Sequence, residues 1–379
     1  MLDPRAVEAA FADSVDRTVG IEEEFQTLDA GSLELAPRYE ELAAAAEEPL
    51  ATSIAGELIS SEIEIRSMRA DDIHAAIAAQ REYRQQLFAL ARRHDVVLGA
   101  TGTHPFSDYR DQRNIDTEHY RRVVDGLQYV ARRNNTFSLH VHVGVHDIDR
   151  AVRVCDRLRP VLPALLALSA NSPFLDARDA GLHSARSQAF TKTFPRCGIP
   201  DAYGGWAGYR DYVDFLYRTG SIVEYTQVWW SIRPHFSFGT VEVRICDAQS
   251  TAAESEALSE LIVACVAQAT RDVDEGVPWT DHPRRLVEEN FWRAIRHGMD
   301  GELIDLDTAT TLPARAAVER LLEWTRPVRA EIGISPQLSE HNGAQRQRAA
   351  LAAGHTLHEV FAASVAETQT TYAPEVPTR

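Results

Sequence analysis

The chain has 379 residues, 44% of them hydrophobic and 25% charged, with a formal net charge of -17. That is an ordinary globular balance, and the acidity excludes a non-specific nucleic-acid binder, which needs a basic face to neutralise phosphates, and disfavours an anionic membrane surface. Cys155, Cys197, Cys246 and Cys265 form no CxxC pair and no zinc-finger spacing, so free thiols in a reducing compartment are expected. The N-terminal residues, with Asp3, Glu8, Asp13 and Asp16, lack a signal-peptide pattern. The longest apolar run, Val161 to Leu168, contains Pro163 and is too short to span a bilayer. The expectation is a cytoplasmic protein.

In chain order, Thr18 to Phe25 reads as a strand, with Ile21, Glu23 and Phe25 on one face and Gly20, Glu22 and Glu24 on the other. Ser60 to Arg66 alternates Ile63 and Ile65 with Glu62, Glu64 and Arg66. Asp71 to His94 has helical spacing and acidic residues at its start. Gly99 to Pro105 reads as a turn that could contact substrate, with His104 inside it. Phe137 to Val145 sets Leu139, Val141, Val143 and Val145 against Ser138, His140, His142 and Gly144. Asp149 to Ser169 reads as one core helix. Phe238 to Cys246 alternates Val241, Val243 and Ile245 with Thr240, Glu242, Arg244 and Cys246. Everything after about Ser250 reads as helix: Thr251 to Arg271, Pro283 to His297, Pro313 to Glu331 and Ala344 to Phe361. No repeat or linker marks a boundary. The chain reads as one catalytic domain over 1–379, with strands within 18–250, a helical part over 251–368 and a frayed tail at 369–379.

The polar faces of the four strands carry the chemistry. Solvated strand faces show Thr, Lys, Gln and Ser; these show paired glutamates, two histidines and an arginine. Glutamates two apart on a strand lie roughly 7 Å from each other, and several such pairs on one sheet would repel. A divalent cation removes the conflict. Mg²⁺ takes hard oxygen ligands and Mn²⁺ also accepts imidazole; zinc competes for His140 and His142, but the excess of glutamate favours Mg²⁺ or Mn²⁺. If the strands are neighbours they make a cation-lined cup suited to nucleotide phosphates, with an arginine for the charge that develops during transfer. No G-x-x-x-x-G-K-[ST] loop is present, so this is not a P-loop enzyme.

Six segments in order resemble glutamate–cysteine ligase family 2, the YbdK-type carboxylate-amine ligases: Gly20 to Phe25 (GIEEEF), Gly102 to Phe106 (GTHPF), Leu139 to Val145 (LHVHVGV), Leu165 to Phe174 (LLALSANSPF), Trp229 to His235 with Phe238 to Asp247 (WWSIRPH, FGTVEVRICD), and Asn290 to Asp300. The resemblance implies an α+β, glutamine-synthetase-like fold: a curved antiparallel sheet, helices outside, and ATP with two or three divalent cations inside. It implies ATP-dependent joining of a carboxylate to an amine, by default L-glutamate to L-cysteine through a γ-glutamyl phosphate. Residue by residue, Glu22, Glu24, Glu64, His140 and Glu242 match metal ligands, with Glu62 the less favoured register. Arg244, Arg233 and Glu242 match catalytic positions. His142, His235, Arg293, Arg296 and His104 match substrate or nucleotide positions. ATP and Mg²⁺ (or Mn²⁺) are the implied cofactors and small molecules the implied partners, with no nucleic acid and no membrane; a homo-oligomer is suggested by analogy. Three positions depart from the family pattern. Ala180 stands where a threonine is expected, before the S-x-R segment, which here lies within His183-Ser-Ala-Arg186. Ser67 follows Arg66 where threonine is commoner, and Ser231 replaces an aspartate. The first bears on the amine pocket. A metal-dependent amidohydrolase using His140 and His142 would leave the ExE and ExR strands unexplained. An idle binding protein on the same fold would be expected to have lost one of these carboxylates or arginines.

Overall fold

A computed structural model describes residues 3–373. Its centre is a seven-stranded sheet, numbered here in chain order: β1 (Val19–Asp29), β2 (Ile54–Ala55), β3 (Glu62–Arg66), β4 (Val96–Gly99), β5 (Ser138–Gly144), β6 (Ile232–His235) and β7 (Thr240–Asp247). The spatial order is β6-β7-β5-β1-β3-β2, with β4 also paired to β1, and every pairing is antiparallel. The four strands read from alternation are therefore adjacent. Register places Glu24 opposite Glu64, Glu22 opposite both Arg66 and His140, and Glu242 opposite His142 and Arg233.

One face of the sheet is apolar. Ile21, Leu139, Val141, Val143, Val241 and Val243 are buried in the largest core cluster, under the helices Ile148–Leu158, Leu162–Ser169 and Ala252–Asp274. Burying each such side chain contributes about 1.5–3 kcal/mol, which makes this face the anchor of the fold. The opposite face is the polar one, and it is buried too: Glu24, Glu62, Glu64, His140, His142 and Glu242 are each at most 5% exposed.

β7 breaks its alternation. Val243 pairs with Val141 and Cys246 with Leu139, so β7 carries one extra residue at Arg244–Ile245. A bulge of this kind re-aims side chains. Cys246, expected beside Arg244 on the polar face, instead lies in the core, and Asp247 comes opposite Ser138.

Several helix expectations need correction. Asp149 to Ser169 is two helices, separated by a 3-10 turn at Arg159–Val161 where Pro160 and Pro163 lack the amide needed to continue. Ala344 to Phe361 is also two, Gly343–Ala352 and Leu357–Tyr372, divided at Gly354 with φ 99°. The part after Ser250 is not all helix: Glu302–Asp305 and Thr310–Pro313 form a hairpin. The tail expected to fray from Gln369 is helical to Tyr372, whose Oη donates to Gln249 O at 2.8 Å; 374–379 lies outside the described residues. All four cysteines are free and buried. Among the described residues no helix is long and apolar enough to cross a membrane.

Glu23 points away from Glu22 and Glu24, into the helical side. There Arg84 on the helix Ile73–Arg93 grips it with two N–H donors at 2.6 and 2.7 Å, and Gln80 adds a third at 2.9 Å. The Arg84 side chain is 2% exposed and Glu23's 4%. Removing one partner strands a buried charge. Arg84→Met is expected to lower unfolding free energy by about 3–5 kcal/mol, and the double variant Glu23→Leu/Arg84→Met to recover most of it. Denaturant unfolding checks both; equal losses in single and double variants would contradict the pairing.

Candidate functional site

The polar face becomes a cup because each strand contributes alternate residues and the chain between strands folds over them. Glu22 is the centre. Its Oε2 lies 3.1 Å from His140 Nδ1 and its Oε1 3.3 Å from His142 Nε2. His142 Nε2 also lies 3.8 Å from Glu242 Oε1, yet it is buried without a hydrogen-bond partner. Its Nδ1 sits 3.0 Å from Thr240 Oγ1. Glu24 Oε2 accepts from Ser138 N and from Ser138 Oγ at 2.6 Å, and Ser138 Oγ lies 2.9 Å from His140 Nε2.

Among the described residues, three groups have ligand atoms mutually within 4.8 Å: Glu22–His142–Glu242, Glu22–Glu64–His140 and Glu24–Glu57–Glu64. Glu22 and Glu64 each belong to two groups, so the three run as a connected line across β7, β5, β1 and β3. The five sequence candidates for metal ligation all fall in these groups. Glu57, between β2 and β3, was not anticipated, because it stands outside any strand alternation.

The electrostatics follow from crowding. Burial, then neighbouring glutamates, push the Glu57 carboxyl up to about 8. The same causes raise Glu62 and Glu64 well above the usual carboxylate range. Glu22 and Glu242 are held low against the cost of burial: Glu22 by His142 and His140, Glu242 by Arg233 and Arg244. His142 is raised, since Glu22 and Glu242 outweigh its burial, whereas His140 is lowered by burial and by Arg244.

The arginines divide the work. Arg233 Nε donates to Glu242 Oε2 at 2.6 Å, and its NH1 donates to Val228 O at 2.6 Å and Thr226 O at 3.1 Å. Its donors are directed at Glu242 and the backbone, so it orients that carboxylate. Arg244, in the bulge, bonds Glu242 with one nitrogen, while its Nε has no partner and its side chain lines a recess beside the cup. His235 stacks on Phe238 with centroids 4.2 Å apart, and burial takes it down to about 3. It is neutral at the cup's edge and unsuited to hold a carboxylate by charge.

Three expected site residues are elsewhere. His104 Nε2 lies 2.8 Å from Leu33 O, its Nδ1 accepts from Ser107 N at 2.9 Å, and its ring packs edge-on against Phe106 and Phe361; it staples a loop. Arg293 NH1 faces Glu302 O at 3.4 Å and Arg296 bonds Gly181 O, on the helix Arg284–His297. None of the three lines the recess. Nor does Ala180, whose amide bonds Pro173 O at 3.0 Å in an outer loop. The recess instead takes Arg186, four residues beyond Leu182 on the helix Ala185–Thr193, in the position of the S-x-R arginine. Gly102 is required by close approach: a Cβ there would lie 2.7 Å from the Asp247 carboxylate that anchors Ser172 and Ser184.

The sequence profile of glutamate–cysteine ligase family 2 matches residues 18–367. A relative from Solibacter usitatus, provisionally named glutamate–cysteine ligase 2, is 39% identical over 338 residues, covering 87% of this chain and 88% of its own. A glutamate–cysteine ligase of Natronomonas pharaonis is 35% identical over 344 residues, covering 89% and 92%. Among solved structures, a Francisella tularensis glutamate–cysteine ligase in complex with AMP aligns with TM-score 0.69 at 12% identity, over 95% of this chain and 90% of that one. A Pasteurella multocida bifunctional glutathione synthetase aligns with TM-score 0.67 at 13% identity, over 97% of this chain and 54% of that one. These two likenesses concern the fold, and they agree with the glutamine-synthetase-like architecture that the motifs implied. With nearly its whole length matched, the chain belongs to glutamate–cysteine ligase family 2.

Proposed function

We propose that the protein is an ATP-dependent carboxylate-amine ligase joining the γ-carboxylate of L-glutamate to an amine, with L-cysteine the first candidate. The observation that carries this is the line of three ligand groups sharing Glu22 and Glu64, beside a guanidinium with unused donors at Arg244. The residues fit divalent cations on their own chemistry: hard carboxylates crowded until some hold protons, and a buried His142 Nε2 aimed between two carboxylates without a bond to either. Glu22, Glu24, Glu57, Glu64, His140, His142 and Glu242 would hold Mg²⁺ or Mn²⁺, which when bound would supply positive charge to offset the negative charge that builds on the phosphoryl group during transfer.

The protein's own groups do the rest. Arg233 fixes Glu242, Ser138 fixes Glu24, and Thr240 fixes the His142 ring, so the ligand atoms are oriented in advance. The substrate carboxylate oxygen attacks the γ-phosphorus, the bond to the β-phosphate oxygen breaks, and ADP leaves. Arg244 is placed to balance the transferring phosphoryl group. The amine then attacks the acyl carbon, phosphate leaves, and the amine's proton passes to solvent or phosphate.

The test is ADP formation with Mg²⁺, ATP and L-glutamate, with and without a panel of amines led by L-cysteine. ADP that requires glutamate and one amine together is expected. No ADP with any amine would overturn the glutamate reading, and ADP appearing with another carboxylate would redirect it. Glu242→Gln should lower kcat by about 100-fold or more with circular dichroism unchanged. Arg244→Lys should cost about 100-fold, because a point charge cannot replace the planar fork. Wild-type turnover in either variant contradicts the assignment.

Cation binding also has a pH signature. A carboxyl whose folded pKa lies above its unfolded value keeps a proton that the unfolded chain has lost, so stability falls as pH rises between the two. Glu57, Glu62 and Glu64 are raised in this sense, and His142 acts in the same direction. The lowered histidines His104, His140, His183 and His235 have already contributed in full above their unfolded value of about 6.5. Between about pH 6.5 and 8 the melting temperature of metal-free protein should therefore fall, and Mg²⁺ or Mn²⁺ should raise it more at pH 8 than at pH 6.5. A melting temperature that rises across this window, or is indifferent to the cation, contradicts the cluster's role.

A further inference from the structure

Glu57 is the one candidate ligand of the three groups that stands outside a strand. β2 ends at Ala55 and β3 begins at Glu62, so no ladder sets its direction. Ser138 fixes the Glu24 carboxylate and Arg233 that of Glu242, but among the described residues no donor fixes the Glu57 carboxylate. Its aim depends on the backbone around it. Beyond Glu57 the backbone is pinned by the chain at 113–115: Ile115 N donates to Leu58 O at 3.0 Å and Ser60 N to Arg113 O at 2.8 Å. Before it, Gly56 is wedged between two side chains, since a Cβ there would lie 2.5 Å from Tyr39 Cε1 and 2.6 Å from Ile115 Cδ1. The Gly56 carbonyl accepts from Tyr120 Oη at 2.5 Å. That carbonyl belongs to the planar peptide joining Gly56 to Glu57, so the Tyr120 hydroxyl sets the plane from which Glu57 projects.

Tyr120 comes from the helix Glu118–Leu127, which is lightly attached. Val123 is its one buried residue. Val123 packs with Leu58 and Ala131 in a small cluster apart from the larger cores, and Tyr120 lies against that cluster. A second polar tie joins His119 Nδ1 to Glu224 Oε1 at 2.7 Å. His119, Tyr120 and Val123 line the recess together with Glu57. A short helix held by one small apolar cluster and two polar ties belongs to the low-stability end of a fold, where local opening is cheap. We propose that Tyr120 is a positioning residue for Glu57, so that the ligand group Glu24–Glu57–Glu64 is complete only while the helix Glu118–Leu127 is seated against the recess. The inference rests on reading the carboxylate line as a cation site and goes beyond it. Filling the third cation position and seating the helix favour each other, by the same factor in each direction.

The test is calorimetric titration of the full, metal-free chain with Mn²⁺, joined to hydrogen exchange of Glu118–Leu127 with and without Mn²⁺; neither readout depends on turnover. The wild type should bind Mn²⁺ at three positions, and Mn²⁺ should slow exchange in the helix. Tyr120→Phe removes only the hydroxyl. It should weaken one position by about 10-fold or more and leave the other two no weaker. Val123→Ala loosens the helix without touching Gly56 and should weaken the same position. Glu57→Gln should keep the other two positions and abolish the slowing of exchange by Mn²⁺. A merely structural Tyr120 would instead lower the melting temperature of Tyr120→Phe while Mn²⁺ binds as in the wild type. That result, equal weakening of every position, or wild-type exchange indifferent to bound Mn²⁺ would overturn the inference and leave the cation line standing. Wild-type protein that binds no Mn²⁺ would overturn both.

Discussion

Five glutamates crowded at one face of the sheet, four from β1 and β3 and Glu57 from the loop before β3, are the constraint around which the protein is organised. Glu22, Glu24, Glu57, Glu62 and Glu64 cannot all be ionised in the protein alone, and the raised Glu57, Glu62 and Glu64 register that conflict directly. Two responses are visible. Fixed cations and histidines stabilise a subset, as Arg233 and Arg244 do for Glu242 and His142 for Glu22. The remainder stays poised for external positive charge. A strained, acidic cup is destabilising in isolation, so the fold must be held from its other face.

That other face supplies the anchorage. The apolar side chains of β1, β5 and β7 lock the register under the helical layer, and a one-residue slip would turn every ligand into the core. Glu23 marks how strictly the faces are separated. It lies between two cup glutamates, yet it is matched by its own buried arginine, Arg84, on the opposite side. The bulge in β7 then offsets Arg244 from the regular pleat, so that one strand delivers a candidate ligand at Glu242, a guanidinium at Arg244 that bonds Glu242 but keeps its Nε unpartnered, and a braced anchor at Asp247.

Much of this was legible in the sequence. Period-two alternation with glutamates and histidines on the polar phase identified β1, β3, β5 and β7 and the ligand candidates on them, because a buried polar face must draw on residue types that a solvated one avoids. What stayed hidden has physical reasons. Glu57 sits in a loop with no period to reveal it. The bulge adds one residue without a composition signal, which is why Cys246 was expected on the wrong face. His104, Arg293 and Arg296 lie in matching motifs, but their side chains serve loop and backbone contacts, and a motif does not say which way a side chain turns. The helical breaks at Pro160 and Gly354 followed local rules that the longer apolar pattern obscured.

The central claim, that the carboxylate line is a cation site, is tested most directly by anomalous diffraction from crystals grown with Mn²⁺ and an ATP analogue. The account predicts Mn²⁺ peaks against Glu22–His142–Glu242, Glu22–Glu64–His140 and Glu24–Glu57–Glu64, with Glu22 and Glu64 each touching two. A cup free of Mn²⁺ at saturating concentration, with the strands and side chains otherwise as described, would contradict it.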